Sequence, residues 1–257
     1  MIAKKDLSVE ASEARYAEER RQGNVLLDCG WEESAWGWSG PAGSIRASRR
    51  AEFLIKNAGL KPDATCLELG CGTGEFTTRL LASGCKLTAV ELSEATANVC
   101  RQRTKNKAEI VVGNIETGEG LTGRAFDAIV GVSVLHHVNM ELCFKNTFSL
   151  LKPGGRFAFS EPNMSNPQVW TERHIGFVKK WRHVTEHETA FRVHELRRLF
   201  TDAGMEVDVC EPFEFLHPST PSFCIGAVKL LERALESTPF RRIAGSIRIS
   251  GCRPAGK

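Results

Sequence analysis

The stretch Cys66-Leu67-Glu68-Leu69-Gly70-Cys71-Gly72-Thr73-Gly74 constrains this 257-residue chain more than any other. Residues 65–69 are mostly apolar, three glycines follow at alternate positions, and residues 75–81 resume with helix formers. That order predicts a buried strand, a sharp turn and a helix. Glycine lets the backbone turn and lets a ligand approach where a Cβ would block it. The first N–H groups of the following helix then face that ligand.

Glycine spacing separates ligand classes. A dinucleotide site uses G-x-G-x-x-G, whose third glycine brings helix and strand close. Here the glycines stand at 70, 72 and 74, with Cys71 between the first two and an acid, Glu68, two positions ahead. This E-x-G-x-G-x-G pattern resembles motif I of the class I S-adenosylmethionine-dependent methyltransferases and disfavours a nicotinamide oxidoreductase. Further marks follow in order: Leu135-His136-His137, Leu150-Leu151-Lys152-Pro153-Gly154-Gly155, and Phe159-Ser160-Glu161-Pro162-Asn163. The resemblance covers residues 60–160 and extends to about 210.

Around these marks, apolar runs alternate with helical patterns. Strands are expected at 65–69, 86–90, 109–112, 126–132, 156–160, 206–210 and 246–250. Helices are expected over 93–103 with Ser93 as N-cap, through much of 135–151, and over 194–203. Such alternation argues for right-handed βαβ units and a mostly parallel sheet. The fold class is therefore α/β: an open, doubly wound, seven-stranded, Rossmann-like sheet with helical lid insertions. Residues 1–50 form an expected N-terminal helical and aromatic cap. Residues 51–257 form the methyltransferase domain, with insertions at about 162–190 and 211–245. Ligands of open α/β sheets bind beyond the carboxyl ends of the strands, so those insertions are placed to act as lids.

Glu91, with Leu92 beside it, ends the second strand about twenty residues past the glycine turn. A carboxylate there accepts from both ribose hydroxyls in dinucleotide folds; the plain alternative is a solvated strand end. Asn114 stands where the resemblance implies an aspartate that accepts from the adenine amino group. Its amide oxygen retains that capacity, and Ile115 would pack on the base; alternatively Asn114 serves only the turn. Val132 and Ser133 would lie near the methionine end of the cofactor. His136 and His137 would border the transfer centre, either as a base for a hydroxyl, thiol or ammonium acceptor or as pocket lining. The resemblance thus implies S-adenosyl-L-methionine as cofactor, with S-adenosyl-L-homocysteine as product. Quinone-type relatives carry metal-binding acids in this segment; those acids are missing here, so no metal is expected.

Trp31, Trp36 and Trp38 put three of the five tryptophans within eight residues. They read either as a lid over the reacting centre or as a small satellite core. Trp170 and Trp181 fall in the first insertion and are further substrate or lid candidates. The patch Lys179-Lys180-Trp181-Arg182-His183 suits an anionic substrate or a solvated face. A helix over 223–236 sets Phe223, Ala227, Leu230, Leu231 and Ala234 at helical spacing. That stripe reads as core or lid, with a membrane-lipid acceptor as the variant.

Composition narrows the partners. A net charge of +3 is too small and dispersed for a nucleic-acid partner. Neither the Asn/Asp-Pro-Pro-aromatic motif of base amino methylation nor a Pro-Cys nucleophile is present. No run of 18 apolar residues exists, so no integral membrane contact is expected. The acid-rich N-terminus fits neither a secretory signal nor a transit peptide. Nine cysteines without a C-x-x-C pair suit packing roles in a reducing cytoplasm rather than a zinc site. The expected activity is methyl transfer to a small-molecule acceptor at oxygen or nitrogen. The alternatives are a nucleic-acid methyltransferase and a non-catalytic cofactor-binding partner. The residues leave the acceptor and the oligomeric state open.

Overall fold

The computed structural model describes residues 9–29, 37–176 and 189–256. Its centre is a seven-stranded sheet in the order β3-β2-β1-β4-β5-β7-β6. The strands are β1 (Thr65–Leu69), β2 (Lys86–Glu91), β3 (Glu109–Val112), β4 (Phe126–Val132), β5 (Leu151–Pro162), β6 (Glu206–Phe213) and β7 (Ser246–Cys252). β1 to β5 pair in parallel, and β7 runs antiparallel between β5 and β6. The chain reverses direction across the sheet between β1 and β4, so the carboxyl ends of both strands open a crevice there.

The helices are α1 (Val9–Cys29), α2 (Gly40–Asn57), α3 (Glu75–Leu80), α4 (Glu94–Thr104), α5 (Met140–Asn146), α6 (Pro167–His174), α7 (Val193–Asp202) and α8 (Ile225–Glu236). Strand alternation divides the core into two unlike faces. One face carries large residues, with Phe157 and Phe159 of β5 packed against Phe148 and Phe200. The other carries Cys66, Ala89, Ala128, Val130 and Ala158, and small side chains there let Phe53 and Leu54 of α2 approach closely. Cys66, Cys85 and Cys100 belong to that packing. Burial pushes the Cys66 thiol well up, so it stays neutral.

Ser93 caps α4 as expected, accepting from the Thr96 amide, and other expectations shift in detail. The Pro153-Gly154-Gly155 turn is absorbed into β5. The register jumps from Phe126–Leu151 to Ala128–Arg156, making a bulge, and the Gly154 amide bonds the Arg253 carbonyl. The helical stretch after β4 breaks into a 3-10 turn at Leu135–His137, α5, and a second 3-10 turn at Phe148–Leu150. Position 50, the expected edge of the cap, lies inside α2.

The second insertion departs most from expectation. The stripe on α8 read as core or lid faces outward: Ala227, Leu230, Leu231 and Ala234 are exposed, as is Phe223 just before the helix. The buried side of α8 instead presents Ile225 and Glu232. Glu232 can face inward because Arg49 of α2 meets it at 2.7 Å, and an ion pair offsets burial of the charge.

Candidate functional site

β1 ends at Leu69, and Gly70, Gly72 and Gly74 then take φ of 64°, 50° and 87°. That left-handed backbone strains any residue with a Cβ. A Cβ on Gly70 would also lie 2.7 Å from Val134, and one on Gly74 would lie 2.9 Å from the Cys100 sulfur. The turn is thus wedged between the loop after β4 and helix α4. Glu91 ties it to the neighbouring strand: one carboxylate oxygen accepts from the Gly72 amide at 2.9 Å, the other from the Ser93 amide at 3.0 Å.

Over this junction opens a cavity of about 400 Å³. Gly70, Cys71 and Gly72 form its floor, Glu91 and Leu92 one wall, and Asn114 and Ile115 the next. Val132, Ser133, His136, His137 and Trp38 complete the predicted residues that line it. Ser133 has φ of 52°, and its amide bonds the Ser160 carbonyl at 2.8 Å, which turns the chain sharply beside the floor. Asn114 makes the expected local turn, its Oδ1 accepting from the Glu116 amide at 2.8 Å.

Two expected residues stand behind the cavity instead of in its wall. Glu68 is buried on the face of β1 that carries Cys66, where it meets Thr77 of α3. Burial raises its carboxyl to about 8. Gly74 serves the packing of α3 against Cys100. Trp38 combines the two roles considered for it. It packs edge-on to Phe76 at 5.0 Å in a satellite core and also lines the cavity. Trp170 does neither. It lies half-exposed on α6, stacked on His174 at 4.7 Å, while Glu172 and Arg173 reach the cavity. Two residues along a helix turn about 200°, so Trp170 and Glu172 point opposite ways. Trp31, Trp36, Trp181 and the basic run 179–183 lie outside the described residues.

The histidines sit in unlike settings. His136 is buried, and its Nδ1 meets Glu161 Oε2 at 2.7 Å. The other Glu161 oxygen accepts from the Val134 and Leu135 amides, each at 3.0 Å. Burial lifts the Glu161 carboxyl to about 7, against the pull of those two amides. Once ionised, Glu161 requires a proton on Nδ1, which makes Nε2 the basic nitrogen of the ring. His137 is more accessible; its Nδ1 meets Glu19 Oε1 of α1 at 3.1 Å. The two imidazole centroids are 4.1 Å apart.

Helix α1 lines the cavity with residues that sequence reasoning missed. Arg15 donates to both oxygens of Glu116, at 2.6 and 2.7 Å, and also to the His137 carbonyl. The Tyr16 hydroxyl donates to Glu116 at 2.8 Å, and burial together with that carboxylate raises its pKa. Glu116 also accepts from the Asn139 amide at 2.8 Å. Arg15, Tyr16, Glu19 and Arg20 all line the cavity. Glu161 lay within a quoted motif and Glu116 two residues past Asn114. The partners in α1 lie a hundred residues away in sequence and carried no spacing signal.

The family described as "Methyltransferase domain" matches residues 44–209. Nodulation protein S of Rhizobium tropici is 26% identical over 196 residues, 72% of this chain and 77% of that protein. The ubiquinone biosynthesis O-methyltransferase of Coxiella burnetii is 28% identical over 141 residues, 52% of this chain and 60% of that protein. Among solved structures, the N-methyltransferase NodS of Bradyrhizobium japonicum WM9 in complex with S-adenosyl-L-homocysteine superposes with a TM-score of 0.60. It is 16% identical, over 91% of this chain and 98% of that one.

Proposed function

The chain belongs to the methyltransferase-domain family, and on that premise we propose that it moves a methyl group from S-adenosyl-L-methionine to a small-molecule acceptor. The observation that carries the reading is the Glu91 carboxylate beside a floor of Cβ-free glycines, inside a cavity large enough for a nucleoside. This arrangement fits the cofactor. Glu91 would hold the ribose hydroxyls, Asn114 and Ile115 the adenine, and the turn at Gly70–Gly72 the methionyl portion. When bound, S-adenosyl-L-methionine supplies a methyl group already activated by a sulfonium charge.

The protein's remaining work is alignment, water exclusion and proton removal. His136, held by Glu161, is the residue to accept a proton from a hydroxyl or ammonium acceptor. The Arg15–Glu116 pair and Trp38 shield the centre from water. Relatives named as N- and O-methyltransferases support nitrogen or oxygen as the acceptor atom. A reducing cytoplasm as the working compartment belongs to the same reading, supported by buried cysteines that serve as packing groups. Among the described residues no helix is long and apolar enough to cross a membrane.

Calorimetric titration with S-adenosyl-L-homocysteine tests the proposal. Micromolar binding that Glu91→Ala weakens is the expected result, followed by a screen of phenols and amines for acceptor-dependent product release. A folded wild type that binds no S-adenosyl-L-homocysteine would sink the reading. Binding without turnover on any acceptor would favour a non-catalytic partner.

A further inference from the structure

The outward face of the second insertion combines two features that no step of methyl transfer uses. Phe223 is 88% exposed, Leu230 70%, Leu231 58% and Phe240 65%. Leu230 and Leu231 lie on the outer side of α8, and Phe240 lies in the turn Pro239–Ile243 that packs against the same helix. Lone exposed apolar residues are ordinary on a protein surface, but four large ones on one short insertion are not.

Charge is sorted just as sharply. Residues 217–243 contain only two acids, Glu232 and Glu236, and both turn inward to Arg49 of α2 at 2.7 and 3.6 Å. Lys229, Arg233 and Arg242 are exposed. On a helical wheel Lys229 and Arg233 fall along one flank of the leucine face. An apolar stripe with basic residues along its edge suits an interface in which rings and methyls enter the acyl boundary while the cations stay among headgroups.

We infer that this face docks the protein on a bilayer that carries anionic phospholipid. A second copy of the chain is a poor occupant. An antiparallel two-fold contact through the leucines would bring Lys229 and Arg233 of each copy near their own counterparts. β6 runs parallel to β5, so the insertion that leaves β6 rises from the edge of the sheet where the cavity opens. Asn166 at the start of α6 donates to the Ile243 carbonyl at 2.7 Å, and Gln168 meets His217 at 3.1 Å. The docking face is thereby tied to the helix whose Glu172 and Arg173 line the cavity. The inference does not depend on the identity of the methyl acceptor or on activity.

Cosedimentation with phosphatidylcholine vesicles, with and without phosphatidylglycerol, tests it on the full chain. Binding is expected only with phosphatidylglycerol and weakens as salt rises. Leu230→Ser/Leu231→Ser should weaken it at least about tenfold, since two buried aliphatic side chains are lost from the interface. Lys229→Gln and Arg233→Gln should each weaken it about fivefold. These side chains are exposed, so each variant should melt with the wild type. Absence of vesicle binding overturns the inference, as does binding indifferent to the leucine pair. A wild-type dimer that the leucine variant dissolves, seen by sedimentation velocity, would assign the face to a second copy and overturn it equally.

Discussion

Glu161 at the end of β5 grips His136 through a 2.7 Å contact between Oε2 and Nδ1, and its second oxygen gathers the Val134 and Leu135 amides. One carboxylate therefore sets both the path of the loop after β4 and the tautomer of the ring that loop carries. Replacing Glu161 by Gln keeps the length but removes the charge that stabilises an imidazolium. We expect the acceptor-dependent turnover rate to fall about 100-fold, with S-adenosyl-L-homocysteine affinity little changed. Turnover at saturating cofactor, set beside calorimetry, separates the two effects.

The same pair predicts a pH limb. The Glu161 carboxyl is raised to about 7, so it is ionised above that pH and neutral below it. Turnover should decline as pH falls through about 7, as Glu161 ceases to support a charged His136. A rate–pH profile of Glu161→Gln should lack that limb; if the limb persists, another group is responsible.

Glu91 accepts from Gly72 and Ser93 and is proposed to take the ribose hydroxyls as well. Glu91→Ala should cost about 10- to 100-fold in S-adenosyl-L-homocysteine affinity, the range for losing one or two hydrogen bonds to a charged group. Glu91→Gln retains an acceptor and should lose less. Calorimetry on both variants reads the difference.

The Arg15–Glu116 pair is buried on both sides. Removing one partner strands the other charge, at a typical cost of about 3–5 kcal/mol. Arg15→Ala should therefore release α1 before the sheet unfolds. Limited proteolysis should cut within residues 9–29 in the variant while the wild type resists, and S-adenosyl-L-homocysteine should leave faster.

Glu68 is buried, and its carboxyl is raised to about 8 from an ordinary value of 4.5. The folded state thus holds a proton that the unfolded chain gives up more readily. Stability from this group is full below pH 4.5 and is lost as pH rises towards 8, by about 1.4 kcal/mol for each unit crossed. Thermal melting of the wild type should fall across that window, and Glu68→Gln should flatten the slope. An unchanged slope in the variant would show that Glu68 stays ionised in the folded protein.

Much of the sheet was legible because its signals are local. Thr65–Leu69 is an apolar run ending in glycine, and Ser93 is an N-cap three residues ahead of the amide it accepts from. Strand propensity, turn chemistry and capping act over a few residues, so they survive reading one residue at a time. Pro153-Gly154-Gly155 misled for the opposite reason. Its residues suit a turn, but β4 pairs on either side of it, at Leu151 and Arg156, and Gly154 and Gly155 exchange backbone bonds with Arg253 just past β7, which makes it a bulge.

The sequence by itself determined where the strands fall along the chain, the glycine turn after β1, the family resemblance, and the placement of Glu91, His136 and His137 at or just beyond strand ends. Each follows from spacing within a single segment. Only the tertiary structure decided that Glu161 rather than solvent partners His136, that Arg15 and Tyr16 meet Glu116, and that the leucines of α8 face outward. Helical spacing shows which side chains share a face but not which way that face points. Its direction came from contacts on the inner side, where Arg49 meets Glu232 and Ile225 packs with Leu216 and Ala42, while Leu230 and Leu231 are exposed.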